Sequence, residues 1–212
     1  MSGKGGARKP GGPLLIGLTG NLGSGKSTVA RIWREECGAT VIDADRLGAE
    51  AVKPGNRALD KLVGRFGREI LLPDGSLDRR LMGQIAFASP ENLEALNSIV
   101  HPEIIAQLKK EIGQAGERGE EVVVVDAALI YEFGIDQVMD RVVVVDAPLE
   151  LRKQRMLAKN KMDEQTIGKV VSFQLDPEEL KRRAHEVIDN RGTPEELRRA
   201  ALEAFGRLAG CE

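Results

Sequence analysis

Cysteine and histidine are scarce in this chain of 212 residues. The two cysteines, Cys37 and Cys211, lie far apart in sequence and form no metal-ligand spacing. We therefore expect free thiols in a reducing cytoplasm rather than a disulfide or a zinc site. Because His101 and His185 are the only histidines, the sequence also disfavours a histidine-based metal site.

The chain also lacks a long apolar run and an excess of charge of either sign. No apolar segment approaches the roughly 20 residues that a membrane-spanning helix needs. Lys and Arg total 31 against 33 Asp and Glu, so no basic field favours nucleic acid. Residues 1–12 are polar and glycine-rich, without the apolar core of a signal peptide, and we expect a flexible tail there. These features favour a cytoplasmic protein with no nucleic-acid or membrane partner. We also expect a monomer or weak homo-oligomer.

Apolar runs that alternate with helical patterns indicate the fold class. The runs lack the polar–apolar alternation of half-buried strands, which is typical of a parallel sheet covered by helices. The expected strands are 14–18, 39–43, 121–126, 141–146 and 186–189. Helical patterns cover Pro90–Val100, Pro102–Gln114 and Pro194–Leu208, the last with Thr193 as its N-cap. The sequence therefore predicts an α/β fold with a doubly wound parallel sheet.

The segment Gly20–Ser27 matches the phosphate-loop pattern G-x-x-x-x-G-K-[ST]. A predicted strand precedes it and a helix-forming run follows, which is the context in which this pattern binds phosphate. The glycines let backbone N–H groups surround an anion, and the helix adds the positive end of its dipole. Lys26 is predicted to reach the β- and γ-phosphates, and Ser27 to offer its hydroxyl to Mg²⁺. The chain is therefore predicted to bind a nucleoside triphosphate.

Acidic residues close two of the other predicted strands. Asp43 and Asp45 follow Val41-Ile42, and alternate residues of a strand point the same way, so we expect both carboxylates on one face. If this strand neighbours the first one, a carboxylate lies near the γ-phosphate and accepts the proton of an attacking hydroxyl. The alternative is a solvated strand end or a helix N-cap. Asp126 closes the third strand, where it either holds Mg²⁺ through water or serves as a cap.

A basic segment follows the fourth strand. Its cations are Arg152, Lys153, Arg155, Lys159 and Lys161. Such a segment is either a lid that closes over the transferring phosphate or a solvated basic helix face. Asn160–Asp163 matches the guanine-reading pattern N-K-x-D, but it follows a helix rather than a strand, so we interpret that match as accidental.

Taken together, these residues resemble the dephospho-coenzyme A kinase family from about Leu14 to Phe205. Besides the phosphate loop, the resemblance rests on the order and spacing of several short motifs. These are 41–45, 74–77 with Arg79-Arg80, His101-Pro102, 129–132, Gln154-Arg155, Gln174 and 187–192.

The resemblance implies transfer of the ATP γ-phosphate to the ribose 3′-hydroxyl of dephospho-coenzyme A on a nucleoside-monophosphate-kinase-like fold. Asp45 is implied as the base, with Lys26 and Arg155 as further catalytic residues. The implied ATP-binding residues are Gly23, Ser24, Gly25, Lys26, Ser27, Thr28 and Asn190. The implied acceptor-binding residues are Arg79, Arg80, His101 and Glu132, with Lys159 in the lid and Ser27 and Asp126 at Mg²⁺. The implied segments are a core of 13–53, 115–150 and 184–212, a helical acceptor domain at 54–114 and a lid at 151–183.

The chain departs from the family pattern at a few positions. The family usually has glycine at Asn21, proline at Ala128 and aspartate at His185, and an Arg-Asp pair in place of Lys159-Asn160. Arginine offers phosphate a bidentate fork, whereas lysine is a single point charge. Two alternatives therefore stay open: a related kinase with another nucleoside or metabolite acceptor, and a nucleotide-binding regulator with weak transfer.

Overall fold

The computed structural model describes residues 12–86, 88–158, 168, 171 and 174–210. The chain divides into two compact units, of which one is Asp43–Ile112 and the other is formed by the residues on either side of it. In the described residues, no helix is long and apolar enough to cross a membrane.

The unit that contains the phosphate loop is built on a parallel sheet flanked by helices. Its strands are β1 (Leu14–Thr19), β2 (Thr40–Asp43), β3 (Val122–Asp126), β4 (Arg141–Asp146) and β5 (Glu186–Asp189). Their order across the sheet is β2-β3-β1-β4-β5, and β1 pairs in parallel with both β3 and β4. The valines of β3 and β4 are buried almost throughout, as continuous apolar runs in a covered sheet require. The predicted α/β fold and its strands are confirmed.

The core of this unit joins the helix after the phosphate loop to the last helix of the chain. These helices are α1 (Lys26–Glu36) and α8 (Pro194–Ala209). The Trp33 indole of α1 is fully buried, donates from Nε1 to the Ala201 carbonyl at 2.7 Å and lies 5.7 Å from the Phe205 ring. Thr193 caps α8 in a capping box with Glu196, as its sequence predicts. The described part of this unit also contains α6 (Leu149–Ala158) and α7 (Pro177–Arg183).

The unit Asp43–Ile112 is helical. It holds α2 (Ala44–Ala51), α3 (Arg57–Phe66), α4 (Arg79–Ala86) and most of α5 (Pro90–Glu117). Its core is an apolar cluster of Val52, Leu62, Ile70, Met82 and Ala86. The unit begins at Asp43, whereas the sequence interpretation starts the insertion at residue 54, and the acceptor and lid roles of the predicted segments stay predictions.

Both stretches predicted to be helical, 90–100 and 102–114, lie within α5, which continues through Pro102. Proline removes one backbone hydrogen bond from a helix and disfavours helical geometry in the residue before it, which favoured a break at this point. The long helix tolerates this single loss. The two predicted stretches are thus parts of one helix of 28 residues.

Candidate active site

Glycine is required in the phosphate loop by both its backbone angles and its neighbours. Gly23 and Gly25 have φ angles of 82° and 103°, which L side chains rarely adopt. A Cβ atom at Gly23 would lie 2.8 Å from the carbonyl oxygen of Arg152, and one at Gly25 would overlap the Asn190 side chain. The loop is therefore packed closely against other parts of the same unit.

The N-terminus of α1 is open to an anion. Gly25 is its N-cap, no side-chain cap hydrogen bond is found there within the described ranges, and the first turn contains no acidic residue. Ser24 is 1% exposed, and its hydroxyl has no hydrogen-bond partner among the described residues. Uncapped N–H groups and the positive end of a helix dipole bind phosphate.

Lys26 forms an ion pair with Asp126, which closes β3. The two side chains are only 12% and 11% exposed. Asp126 is adjacent to the strand that leads into the loop, because it pairs in register with Leu18 of β1. The site therefore holds a carboxylate and an ammonium in contact next to the loop.

The residues at this place fit Mg²⁺. Ser27, in the first turn of α1, is exposed, and its hydroxyl together with the Asp126 carboxylate supplies the oxygen ligands that Mg²⁺ prefers. No group of three or more His, Cys, Asp or Glu residues able to hold a metal is found in the part of the chain that the structure describes. A bound Mg²⁺ would thus take most of its ligands from the nucleotide and water.

The expectations for Asp43 and Asp45 need correction. β2 ends at Asp43, whose carboxylate caps α2 by accepting from the Arg46 N–H at 3.0 Å. Asp45 therefore lies exposed in the first turn of a helix, and the strand-alternation argument does not apply to it. β2 is also not a neighbour of β1, because β3 lies between them. β3, which takes the place beside β1 that was expected for β2, ends in the carboxylate of Asp126.

Two carbonyl groups of the loop accept hydrogen bonds from side chains that come much later in the sequence. Asn190 is 5% exposed and donates from Nδ2 to the Ser24 carbonyl at 2.6 Å. Arg155 of α6 donates from Nη2 to the Asn190 carbonyl at 3.0 Å and to its Oδ1 at 3.3 Å. Arg152 donates from Nη1 to the Leu22 carbonyl at 3.5 Å and from Nε to the Ala147 carbonyl at 3.1 Å. The structure thus brings together Ser24, Asn190 and Arg155.

Sequence reasoning assigned no contact to Arg152, which counted only as one cation of the basic segment. It is 3% exposed, and burial lowers its pKa, against a smaller opposing effect of Asp146. Two further hydrogen bonds join the phosphate loop to residues 174 and 175. Gln174 Oε1 accepts from the Leu22 N–H at 3.2 Å, and the Asn21 side chain donates to the Leu175 carbonyl at 3.3 Å. No local pattern marks such long-range contacts.

The loop after β3 packs on the segment that leads into α7. The Arg183 guanidinium lies 4.0 Å from the centre of the Tyr131 ring, and burial raises the pKa of Tyr131 to about 12. Burial also raises the pKa of Glu132, against hydrogen bonds from backbone N–H groups including that of Leu175. The Glu132 carboxylate is thus held at this loop, and its acceptor-binding role stays a prediction.

The other predicted acceptor residues lie in the unit Asp43–Ile112. Arg79 and Arg80 are exposed in the first turn of α4, and His101 is half-buried in α5. Their roles, like that of Asp45, stay predictions. Lys159 and the segment Asn160–Asp163 lie outside the described residues.

The resemblance predicts an aspartate at position 185, where this chain has His185. Its ring Nδ1 accepts from the Val142 N–H at 3.0 Å, while its own backbone N–H donates to the Val142 carbonyl at 2.8 Å. An imidazole nitrogen that accepts a hydrogen bond carries no proton, so the ring makes this contact in its neutral form. His185 thus contributes a side-chain and a backbone hydrogen bond to the pairing of β4 with the start of β5.

Comparison with known proteins agrees with this geometry. The family model described as dephospho-CoA kinase matches residues 14–196. A dephospho-CoA kinase of Bacillus licheniformis is 42% identical over 180 residues, which cover 85% of this chain and 89% of the relative. A crystal structure of a Thermus thermophilus protein superposes with a TM-score of 0.78 at 34% identity, covering 93% of this chain and 98% of that one. Dephospho-CoA kinase from Campylobacter jejuni shares the fold, with a TM-score of 0.68 at 22% identity over 92% of this chain and 97% of its own. The chain belongs to the dephospho-CoA kinase family.

Proposed function

We propose that this protein transfers the γ-phosphate of ATP to the ribose 3′-hydroxyl of dephospho-coenzyme A, giving coenzyme A and ADP. The observation that carries the proposal is the uncapped phosphate loop with Lys26 and Asp126 beside it, in a chain of the dephospho-CoA kinase family. A loop of this type binds the phosphates of a nucleoside triphosphate.

On the ATP side, Gly23–Thr28 binds the phosphates through backbone N–H groups. Lys26 neutralises the β- and γ-phosphate oxygens, and its ammonium is already placed at this end of the sheet by Asp126. Ser27 and Asp126 would hold Mg²⁺, Asp126 through water. When bound, Mg²⁺ supplies positive charge that offsets the charge on the transferring phosphate.

On the acceptor side, Asp45 orients the 3′-hydroxyl and accepts its proton. Phosphoryl transfer has a loose transition state, so orienting the nucleophile matters more than strong basicity. Asp45 is exposed in the first turn of α2. Arg79, Arg80, His101 and Glu132 bind the rest of the acceptor. The two guanidinium groups suit the phosphate oxygens of a nucleotide-like substrate.

An assay that measures ADP release, with ATP, Mg²⁺ and a panel of acceptors, tests the proposal. Turnover with dephospho-coenzyme A, and its loss in the Lys26→Ala variant, supports it. Turnover with other nucleosides or metabolites alone would point to a related kinase with another acceptor. ATP binding without any turnover would point to a nucleotide-binding regulator.

A further inference from the structure

The phosphate loop is supported from the side of its carbonyl groups. A loop that surrounds an anion with N–H groups must keep its carbonyl oxygens turned away, because an oxygen facing the phosphate would repel it. The Ser24 carbonyl has a dedicated buried partner in the Asn190 amide, at 2.6 Å. Ser24 and Asn190 are 166 residues apart in sequence, so the contact is a feature of the fold rather than of the loop.

Arg155 sets the direction of the Asn190 amide. A side-chain amide has an oxygen end and a nitrogen end, and only the nitrogen end donates. Arg155 Nη2 donates to Oδ1 of Asn190 at 3.3 Å and to its backbone carbonyl at 3.0 Å. Since the guanidinium has no acceptor, it holds the oxygen end toward itself and leaves Nδ2 to face Ser24.

We propose that Asn190 and Arg155 are a positioning pair for the phosphate loop, in which Arg155 acts on bound nucleotide through Asn190. This role deepens the proposed function. It rests on that function in one respect, namely that the loop binds the phosphates of a nucleotide. The sequence interpretation instead placed Arg155 at the transferring phosphate and Asn190 at ATP itself. With its Oδ1 and one N–H engaged and its side chain buried, Asn190 is committed to the loop.

The pair also explains why residue 25 is glycine. A Cβ atom there would overlap Asn190 Nδ2, so the amide occupies the space that a side chain at position 25 would need. The φ of 103° at Gly25 belongs to the turn that starts α1, immediately after Ser24. Loss of the amide therefore removes both the partner of the Ser24 carbonyl and the contact that fills this space.

A double-mutant cycle on nucleotide affinity tests the pair. The variants are Asn190→Ala, Arg155→Ala and the combination, and the measurement is ADP and ATP affinity by calorimetry without any acceptor. Leaving a buried carbonyl without its donor should weaken binding about tenfold in Asn190→Ala. Arg155→Ala should weaken binding no more than that, and the combination should bind as Asn190→Ala does. If the two losses multiply instead, Arg155 acts on nucleotide by itself and the proposal is overturned.

Asn190→Asp separates the amide from mere size. Aspartate keeps an oxygen for Arg155 but sets an oxygen against the Ser24 carbonyl, so it should bind ADP at least as weakly as Asn190→Ala. Affinity equal to that of the unmutated protein would contradict the proposal. Arg207→Ala serves as control, because it removes an exposed arginine that is paired with Glu186 in the same unit, and it should leave affinity unchanged.

Hydrogen exchange of the nucleotide-free protein gives a readout independent of turnover. Amides of Gly23–Thr28 should exchange faster in Asn190→Ala and in Arg155→Ala, while the β3 and β4 amides keep their protection. Unchanged exchange in the loop would refute the positioning role. Neither hydrogen exchange nor the nucleotide affinities involve dephospho-coenzyme A. Both results therefore remain valid if the acceptor proves to be different. Failure of the acceptor assay alone would refute only the proposed function.

Discussion

The ion pair between Lys26 and Asp126 permits a prediction in which one pair of variants changes the free energy of unfolding and the turnover rate independently. Lys26→Met keeps the apolar stem of the side chain and removes the ammonium, so the Asp126 carboxylate at the end of β3 loses that cation. Removing one partner of a buried pair typically costs ~3–5 kcal/mol. Because both side chains keep some contact with water, at 12% and 11% exposure, we expect about 2–3 kcal/mol here.

For a chain of this size, that loss corresponds to a fall in Tm of about 4–12 °C. Circular dichroism during guanidinium and thermal unfolding measures it, with the ADP-release assay run in parallel. Adding Asp126→Asn removes the carboxylate charge that faced Lys26, so the double variant should recover at least half of the lost free energy of unfolding. Turnover should stay lost in both variants, because the cation that neutralises the phosphates is missing.

The control for this prediction is Lys153→Met, which breaks an exposed pair with Glu150 in the same unit. Exposed pairs contribute little, so its free energy of unfolding should change by less than about 0.5 kcal/mol. The reasoning fails if the Tm of Lys26→Met equals that of the unmutated protein. It also fails if the double variant is no more stable than Lys26→Met alone.

Three further expectations concern Asp45, His185 and Lys159. Asp45→Asn should lower kcat by about 10²–10⁴ with near-normal ATP affinity, and a loss of ATP affinity alone would instead place Asp45 at the metal. Burial, with a smaller contribution from Arg141, lowers the pKa of His185 below its usual 6.5, so the unfolded chain binds more protons than the folded one below that pH. The free energy of unfolding should therefore fall as the pH drops from 6.5 toward the folded pKa, and His185→Asn, which does not titrate, should flatten that part of a denaturation series. Lys159→Arg should raise kcat if the lid benefits from a bidentate fork, and an unchanged kcat would show that lysine serves equally well.

The sheet and the phosphate loop could be predicted because their signals are local. Four consecutive valines in β3 and in β4, bounded by charged residues, indicate buried strands without help from the rest of the chain. The loop pattern between a strand and a helix is likewise contiguous. The family assignment from the order of motifs is confirmed by the comparisons.

The surroundings of the loop could not be predicted, for three physical reasons. In Val-Ile-Asp-Ala-Asp, strand and helix patterns compete, and the capping of α2 by Asp43 decides the outcome in favour of a helix at Asp45. The contacts of Asn190 and Arg152 with the loop join residues 166 and 130 positions apart. The sequence of a single strand does not determine its neighbours in the sheet. The position of β3 between β1 and β2 was therefore known only from the structure.

The chain has a single tryptophan, and Trp33 lies where its emission reports on one unit alone. Its indole joins α1 to α8, while the unit Asp43–Ile112 contains no tryptophan at all. Intrinsic fluorescence therefore follows the integrity of the nucleotide-binding half selectively, whereas circular dichroism at 222 nm registers helices of both halves. Comparing the two signals during denaturation would reveal whether the two units unfold together or in succession, without attaching any dye.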